Sequence, residues 1–202
     1  MVVEVPAPAP ARRRTGGRSA RVRADVHQAV AELIAEGGPA RVTIAEVAAR
    51  SGVHPTSIYR RWGSTEALVL DVAVARVEAQ SPIPDTGTLR GDLLTYATQA
   101  AEDITRPDGL SFLRAVLTAA DTPPTVQSGD GPAERPSPLQ VRGAHIQVML
   151  ERAHHRGEPA LAYTDVLDLV LAPIYLRTLF GVGGIDGPYL ATLIDRLLTT
   201  GA

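Results

Sequence analysis

The sequence predicts an all-α fold: an N-terminal three-helix helix-turn-helix head followed by a C-terminal helical body, about nine helices in all. Three observations predict it. Apolar residues recur at helical spacing in segment after segment, and no stretch alternates as a strand would. Residues 43–62, TIAEVAARSGVHPTSIYRRW, read as two short helices around a Gly-containing turn. Charge also divides along the chain. Residues 1–66 hold ten Arg and six acids, and residues 67–202 hold ten Arg and sixteen acids, so a net charge of −2 conceals a basic head on an acidic body.

Composition sets the outer bounds. With 202 residues and 45% hydrophobic content, the chain can bury one or two proper cores. Aromatics make up only 4%, so those cores are built mainly of Leu, Val, Ile and Ala. The absence of Cys excludes disulfides, thiol catalysis and Cys-ligated zinc. No apolar run reaches the roughly 18 residues of a membrane span, and the N-terminus lacks the apolar core of a signal peptide. A cytoplasmic protein is therefore expected. All twenty basic residues are Arg, which we read as coding bias.

Residues 1–19 are expected to form a disordered basic arm: Pro and Ala dominate its start, and Arg12, Arg13, Arg14 and Arg18 follow. Such an arm could lie along phosphates or in a minor groove, or be a solvated tail. The head is placed at residues 20–66. Its first helix spans about Ala20 to Glu36, with Val26, Val30, Leu33 and Ile34 inward, and Gly37-Gly38-Pro39 stops it. Thr43 and Glu46 have the spacing of a capping box, and Ile44, Val47 and Ala48 give the second helix its apolar face. Gly52 permits a sharp turn, His54 is an unusual capping residue, and Pro55 suits the first turn of a third helix running to Trp62.

That third helix carries the chemistry. Ile58 and Trp62 share an apolar face, while Thr56, Ser57, Tyr59, Arg60 and Arg61 spread over the rest. No acid interrupts this surface. Arg can bond a guanine edge or a phosphate, and the hydroxyls can reach either, so the helix suits a DNA major groove. The plainer alternative is a solvated helix face. Gly63 ends the helix, Ser64 caps a fourth, and Glu66 favours its dipole. The fourth helix runs to about Gln80 and leaves the head.

The body, residues 67–202, reads as helices over Thr88–Asp103, Gly109–Ala120, Pro138–Arg156, Thr164–Phe180 and Tyr189–Thr200, with a long Pro- and Gly-rich loop over 121–137. Pro173 should kink the penultimate helix. The last two helices present broad apolar stripes. Val166, Leu169, Val170 and Ile174, with Tyr189, Leu190, Leu193, Ile194 and Leu197, are candidates for an intermolecular four-helix bundle in a homodimer or, equally, for the monomer core.

These features together resemble the TetR/AcrR family of transcriptional regulators. The strongest match is residues 43–70, the run T-I-A-E-V-A…S-G-V…S-I-Y-R-R-W-G-S-T-E-A-L-V. The resemblance implies a homodimer that binds a palindromic double-stranded DNA operator, usually as a repressor, and is released by a small molecule in the body. It marks Thr43 as a phosphate-contacting cap and Thr56, Ser57, Tyr59, Arg60 and Arg61 as recognition contacts, with His54 and Pro55 opening that helix. Where the family commonly carries a phosphate-gripping Lys, this chain has Thr65.

For the effector, Tyr96, Phe112, His145, Met149 and Tyr175 are candidate lining residues. Few charges fall on the inner faces, so a mostly apolar ligand is expected. A constitutive DNA-binding dimer without effector is the alternative. Glu151, His154, His155 and Glu158 contain two i,i+4 Glu/His pairs that could bind a divalent metal, but they also fit a polar helix end, and no metal or cofactor is assigned. An enzyme has no motif to rest on, since GxSxG, Walker loop, GxGxxG after a strand and HExxH are all missing.

Overall fold

The computed structural model describes residues 16–120 and 136–200, and these are helical with no strand among them. The expected arm residues Arg12, Arg13 and Arg14 and most of the 121–137 loop lie outside the described residues. Helix α1 (Gly16–Gly37) begins four residues before the expected Ala20, so Arg18 sits in its first turns and not in an irregular arm. A 3-10 turn (Pro39–Arg41) leads to α2 (Ile44–Ser51), α3 (Pro55–Trp62) and α4 (Thr65–Gln80). Val26, Val30, Leu33 and Ile34 of α1 are fully buried, as their spacing predicts. They meet Ile44, Val47, Ile58, Trp62, Leu68 and Val72 in one core.

The body follows as α5 (Leu89–Thr105), α6 (Gly109–Ala120) and α7 (Pro138–His155). Then come α8 (Tyr163–Val166), a π-helical turn (Leu167–Leu171) and α9 (Ala172–Phe180), and last α10 (Gly187–Thr200). Backbone angles stay right-handed helical through both junctions, for example φ −62°, ψ −50° at Leu167 and φ −58°, ψ −45° at Ala172, so α8, the π turn and α9 form one continuous helix. Pro173 supplies the reason for the wide turn. It has no N–H to give the preceding turn, and its ring needs room against the carbonyl four residues back. A second core joins Leu93, Tyr96, Ile146, Met149, Val170, Ile174, Leu190 and Ile194 from α5, α7, the π turn, α9 and α10.

The two cores do not follow the expected boundary at residue 66. Helix α6 belongs to the head's core: Phe112, Ala115 and Ala119 pack there with α1 and the first half of α4. Arg76 of α4 lies over the Phe112 ring at 4.5 Å and bonds Asp103 and Asp108 at 2.8 and 2.6 Å. Arg76 thereby ties the linking helix to the end of α5 and to the start of α6.

Candidate nucleic-acid interface

Local sequence fixes both ends of α3. The Glu46 N–H donates to Thr43 Oγ1 at 3.2 Å, the hydroxyl half of the expected box, and starts α2. Gly52 closes α2 in the left-handed region at φ 68°, ψ 12°, with its N–H on the Ala48 carbonyl. His54 then caps α3 with a ring nitrogen. Its Nδ1 accepts from the Thr56 N–H at 3.3 Å, which requires Nδ1 to carry no proton. Gly63, at φ 80°, ends the helix after eight residues.

The inner face seats α3 on a carboxylate. Ile58 and Trp62 are buried, and Trp62 Nε1–H donates to Asp71 Oδ2 at 2.8 Å. His27 Nε2 is 2.8 Å from the same oxygen, and Arg23 donates to both oxygens at 3.3 and 3.1 Å. Burial works against ionising Asp71, but the hydrogen bonds of His27 and Trp62 and the charge of Arg23 outweigh it. They hold the carboxyl well below the usual carboxylate range. One side chain of α4 thus joins α1, α3 and α4. Sequence reasoning missed this node, although the signal was there: Asp71 stands on the apolar stripe of α4 with Leu68 and Val72.

The outer face keeps part of the expected set together. His54, Pro55, Thr56, Tyr59 and Arg60 are exposed, as is Thr43, and Ser57 and Thr65 are half-buried. Arg61 turns away from them. Its Nη1 donates to both the carbonyl and the hydroxyl of Ser19 at 3.0 Å, and its guanidinium lies 5.2 Å from the Trp62 ring. Arg61 therefore sits on the flank of α3, against the start of α1, where Arg18 is exposed.

In the body, four of the five candidate ligand residues meet and one does not. Tyr96 hydroxyl lies 3.3 Å from His145 Nδ1, and Met149 and Tyr175 belong to the same core. Phe112 is corrected to the head's core, because α6 faces α1 and α4 with that side chain. The inner faces also carry more charge than periodicity suggests. Arg142 is only 4% exposed and lies 5.8 Å from both the Tyr96 and Tyr175 rings. Burial raises the pKa of both phenols, and burial together with Arg142 lowers that of His145.

Of the nine candidate dimerisation residues, Val166, Val170, Ile174, Leu190, Leu193, Ile194 and Leu197 are buried in the chain itself. All of them but Leu193 belong to the body's own core, where α10 packs on α5 and the π turn. Leu169 remains 42% exposed and Tyr189 half-buried. On the penultimate helix and the turn after it, Tyr163, Leu169, Leu176, Phe180 and Val182 are exposed, Leu176 by 55% and Phe180 by 75%. Glu158, considered for a metal pair, lies past the end of α7, where it accepts from the Leu89 N–H at 2.8 Å and from Arg156 at 2.6 Å.

Comparison with known proteins agrees with this geometry. Residues 28–72 match the family model described as bacterial regulatory proteins, tetR family. Residues 83–197, more than half the chain, match the tetracyclin repressor-like C-terminal domain. The chain is 34% identical over 141 residues to the HTH-type transcriptional regulator AqdR of Rhodococcus erythropolis, covering 70% of this chain and 65% of that relative, just under two thirds of its length. It is 30% identical over 149 residues to the HTH-type transcriptional regulator Mb1581 of Mycobacterium bovis, covering 73% and 71%. The crystal structure of the TetR family transcription regulator SCO0332 superposes with a TM-score of 0.68 at 30% identity, covering 89% of this chain and 97% of that one. A helix-turn-helix seated on its fourth helix, an all-helical body and both family models agree: the chain belongs to the TetR family of HTH-type, DNA-binding transcriptional regulators.

Proposed function

We propose that the protein is a repressor that binds a palindromic operator as a homodimer and releases it when a small molecule enters the helical body. The observation that carries the DNA reading is α3 itself. Its apolar face is anchored on the head core and on Asp71, and its outer face offers Thr56, Tyr59 and Arg60 with no acid. A rigidly seated helix with that surface suits major-groove reading.

Support for a dimer comes from the row Leu169, Leu176, Phe180 and Val182, large apolar side chains that water would otherwise meet. A second copy related by a two-fold axis would cover the same row on each subunit and give a symmetric reader for a symmetric site. Support for ligand release comes from α4, which runs from the Asp71 node in the head to Ser81 beside Arg142 in the body.

Selection of bound duplexes from a random pool tests the reading. A recovered palindrome, bound by two chains, is the expected result. Recovery of no symmetric sequence, or binding by a single chain, would reject it. A screen for release from the selected site then separates the ligand-responsive dimer from a constitutive one.

A further inference from the structure

We propose that the effector carries an anionic group, a carboxylate in the simplest case, and that Arg142 receives it. This rests on the ligand-responsive reading and names the chemistry of its site. Arg142 lies on α7 with its side chain almost wholly buried. A guanidinium cannot shed its charge in a protein, so burying it is costly unless an anion is close. Its nearest carboxylate, Asp103 Oδ2, is 4.0 Å away. Asp103 is already held by Arg76 at 2.7 and 2.8 Å, and Arg76 also takes Asp108 at 2.6 Å. Arg76 thus holds Asp108 and the Oδ1 oxygen of Asp103, and Asp103 Oδ2, the oxygen nearer Arg142, stays beyond hydrogen-bond distance of it.

What Arg142 does hold is weak. Its Nη1 reaches Ser81 Oγ at 3.4 Å and the Tyr96 hydroxyl at 3.5 Å, both at the outer limit of a hydrogen bond. A buried cation whose contacts are two long ones to neutral hydroxyls and a carboxylate oxygen 4.0 Å away is a site short of one close anion. A carboxylate would make charge-assisted bonds to the guanidinium. The apolar remainder of the ligand would meet Met149, Ile146 and Ile174 of the surrounding core.

The same contact supplies a route to the head. Ser81 ends α4, and Val74 and Val77 of that helix pack on Val141 beside Arg142, so an anion that shifts Arg142 also shifts the α7 surface on which the C-terminal end of α4 rests. The N-terminal half of α4 holds α3 through Asp71. Ligand and operator then compete through one helix.

Two measurements on the full chain test this. The first needs no ligand. If Arg142 is kept for binding at a cost to folding, Arg142→Met leaves the melting temperature of the ligand-free protein unchanged or raised, because Asp103 keeps Arg76. A fall of more than about 5 °C, over 1 kcal/mol for a chain of this size, would make Arg142 a structural residue and overturn the proposal. The second uses 2-naphthoate and dodecanoate, each beside its uncharged primary amide, and reads thermal stabilisation and operator release. The acids should act at concentrations at least about tenfold below their amides, Arg142→Met should abolish that difference, and Arg142→Lys should keep part of it. Equal action of acid and amide, or no action by either acid, would overturn the anionic site. Release by amides alone would leave the ligand-responsive reading standing. Release by no compound in the wider screen would sink that reading as well.

Discussion

At the scale of single residues, three positions shape the proposed DNA-reading surface of the head. Gly52 adopts a left-handed conformation with open space around its missing Cβ, so Gly52→Ala meets strain and no clash. The expected cost is about 1–2 kcal/mol, read as a lower denaturation midpoint with unchanged slope. Arg61 has the sequence of a base reader, but its guanidinium is bonded to Ser19 at the start of α1. Arg61→Ala should therefore weaken binding by a similar factor on every operator variant, and a loss confined to one base position would return it to base reading. Thr65 stands in the first turn of α4, where a helix N-terminus already favours an anion. Thr65→Lys adds a full charge there. It should tighten binding at low salt and steepen the log–log salt dependence by about 0.9, the value for one added phosphate contact. The hydroxyls and arginines of α3, and the glycines on either side of it, were legible in the sequence because they follow local rules. The direction of Arg61 was not, because Ser19 lies 42 residues away in the chain.

At the scale of elements, the Asp71 node decides how α3 is held. Its pKa is depressed in the folded protein, so its contribution to stability is present above the unfolded carboxylate range. It is lost as pH falls toward the folded value. Asp71→Asn removes the charge opposite Arg23 and leaves fewer acceptors for Trp62 and His27. The substitution should cost about 2 kcal/mol at pH 7 and less at pH 3, where the unfolded Asp has taken up its proton while the folded one has not. A pH-independent loss in thermal melts would contradict the node. Element boundaries came largely from the sequence, including the limits of α3 and α6. Their neighbours did not. Helix α6 carries an apolar stripe that periodicity assigns to a core, but only packing shows that Phe112 enters the head's core and not the body's. Pro173 predicts a disturbance in its helix, and the structure resolves it as a π-helical turn over Leu167–Leu171.

For the whole molecule, the proposed homodimer needs an apolar face left over for a second copy. The stripes of the last two helices are broad, and α5 and the packing of the two helices on each other consume most of them. What remains is the row through Leu176 and Phe180. Leu176→Glu with Phe180→Glu should leave the fold intact by circular dichroism and give a monomer in light scattering. Operator affinity should fall by about 10²–10⁴, the avidity of the second half-site. A dimer that survives both charges would place the subunit contact elsewhere.

The sequence by itself determined the all-helical class, the ends of the helix-turn-helix and the family. Capping, turn chemistry and 3.6-residue periodicity act over a few residues and can be read along the chain. Only the tertiary structure decided which apolar side chains are core and which are surface. It also decided that Arg61 folds back, that Asp71 unites three helices, and that Arg142 is buried with its nearest carboxylate beyond hydrogen-bond distance. Those outcomes depend on which distant segments share a core, and a helix's own pattern says that a face is buried without saying against what.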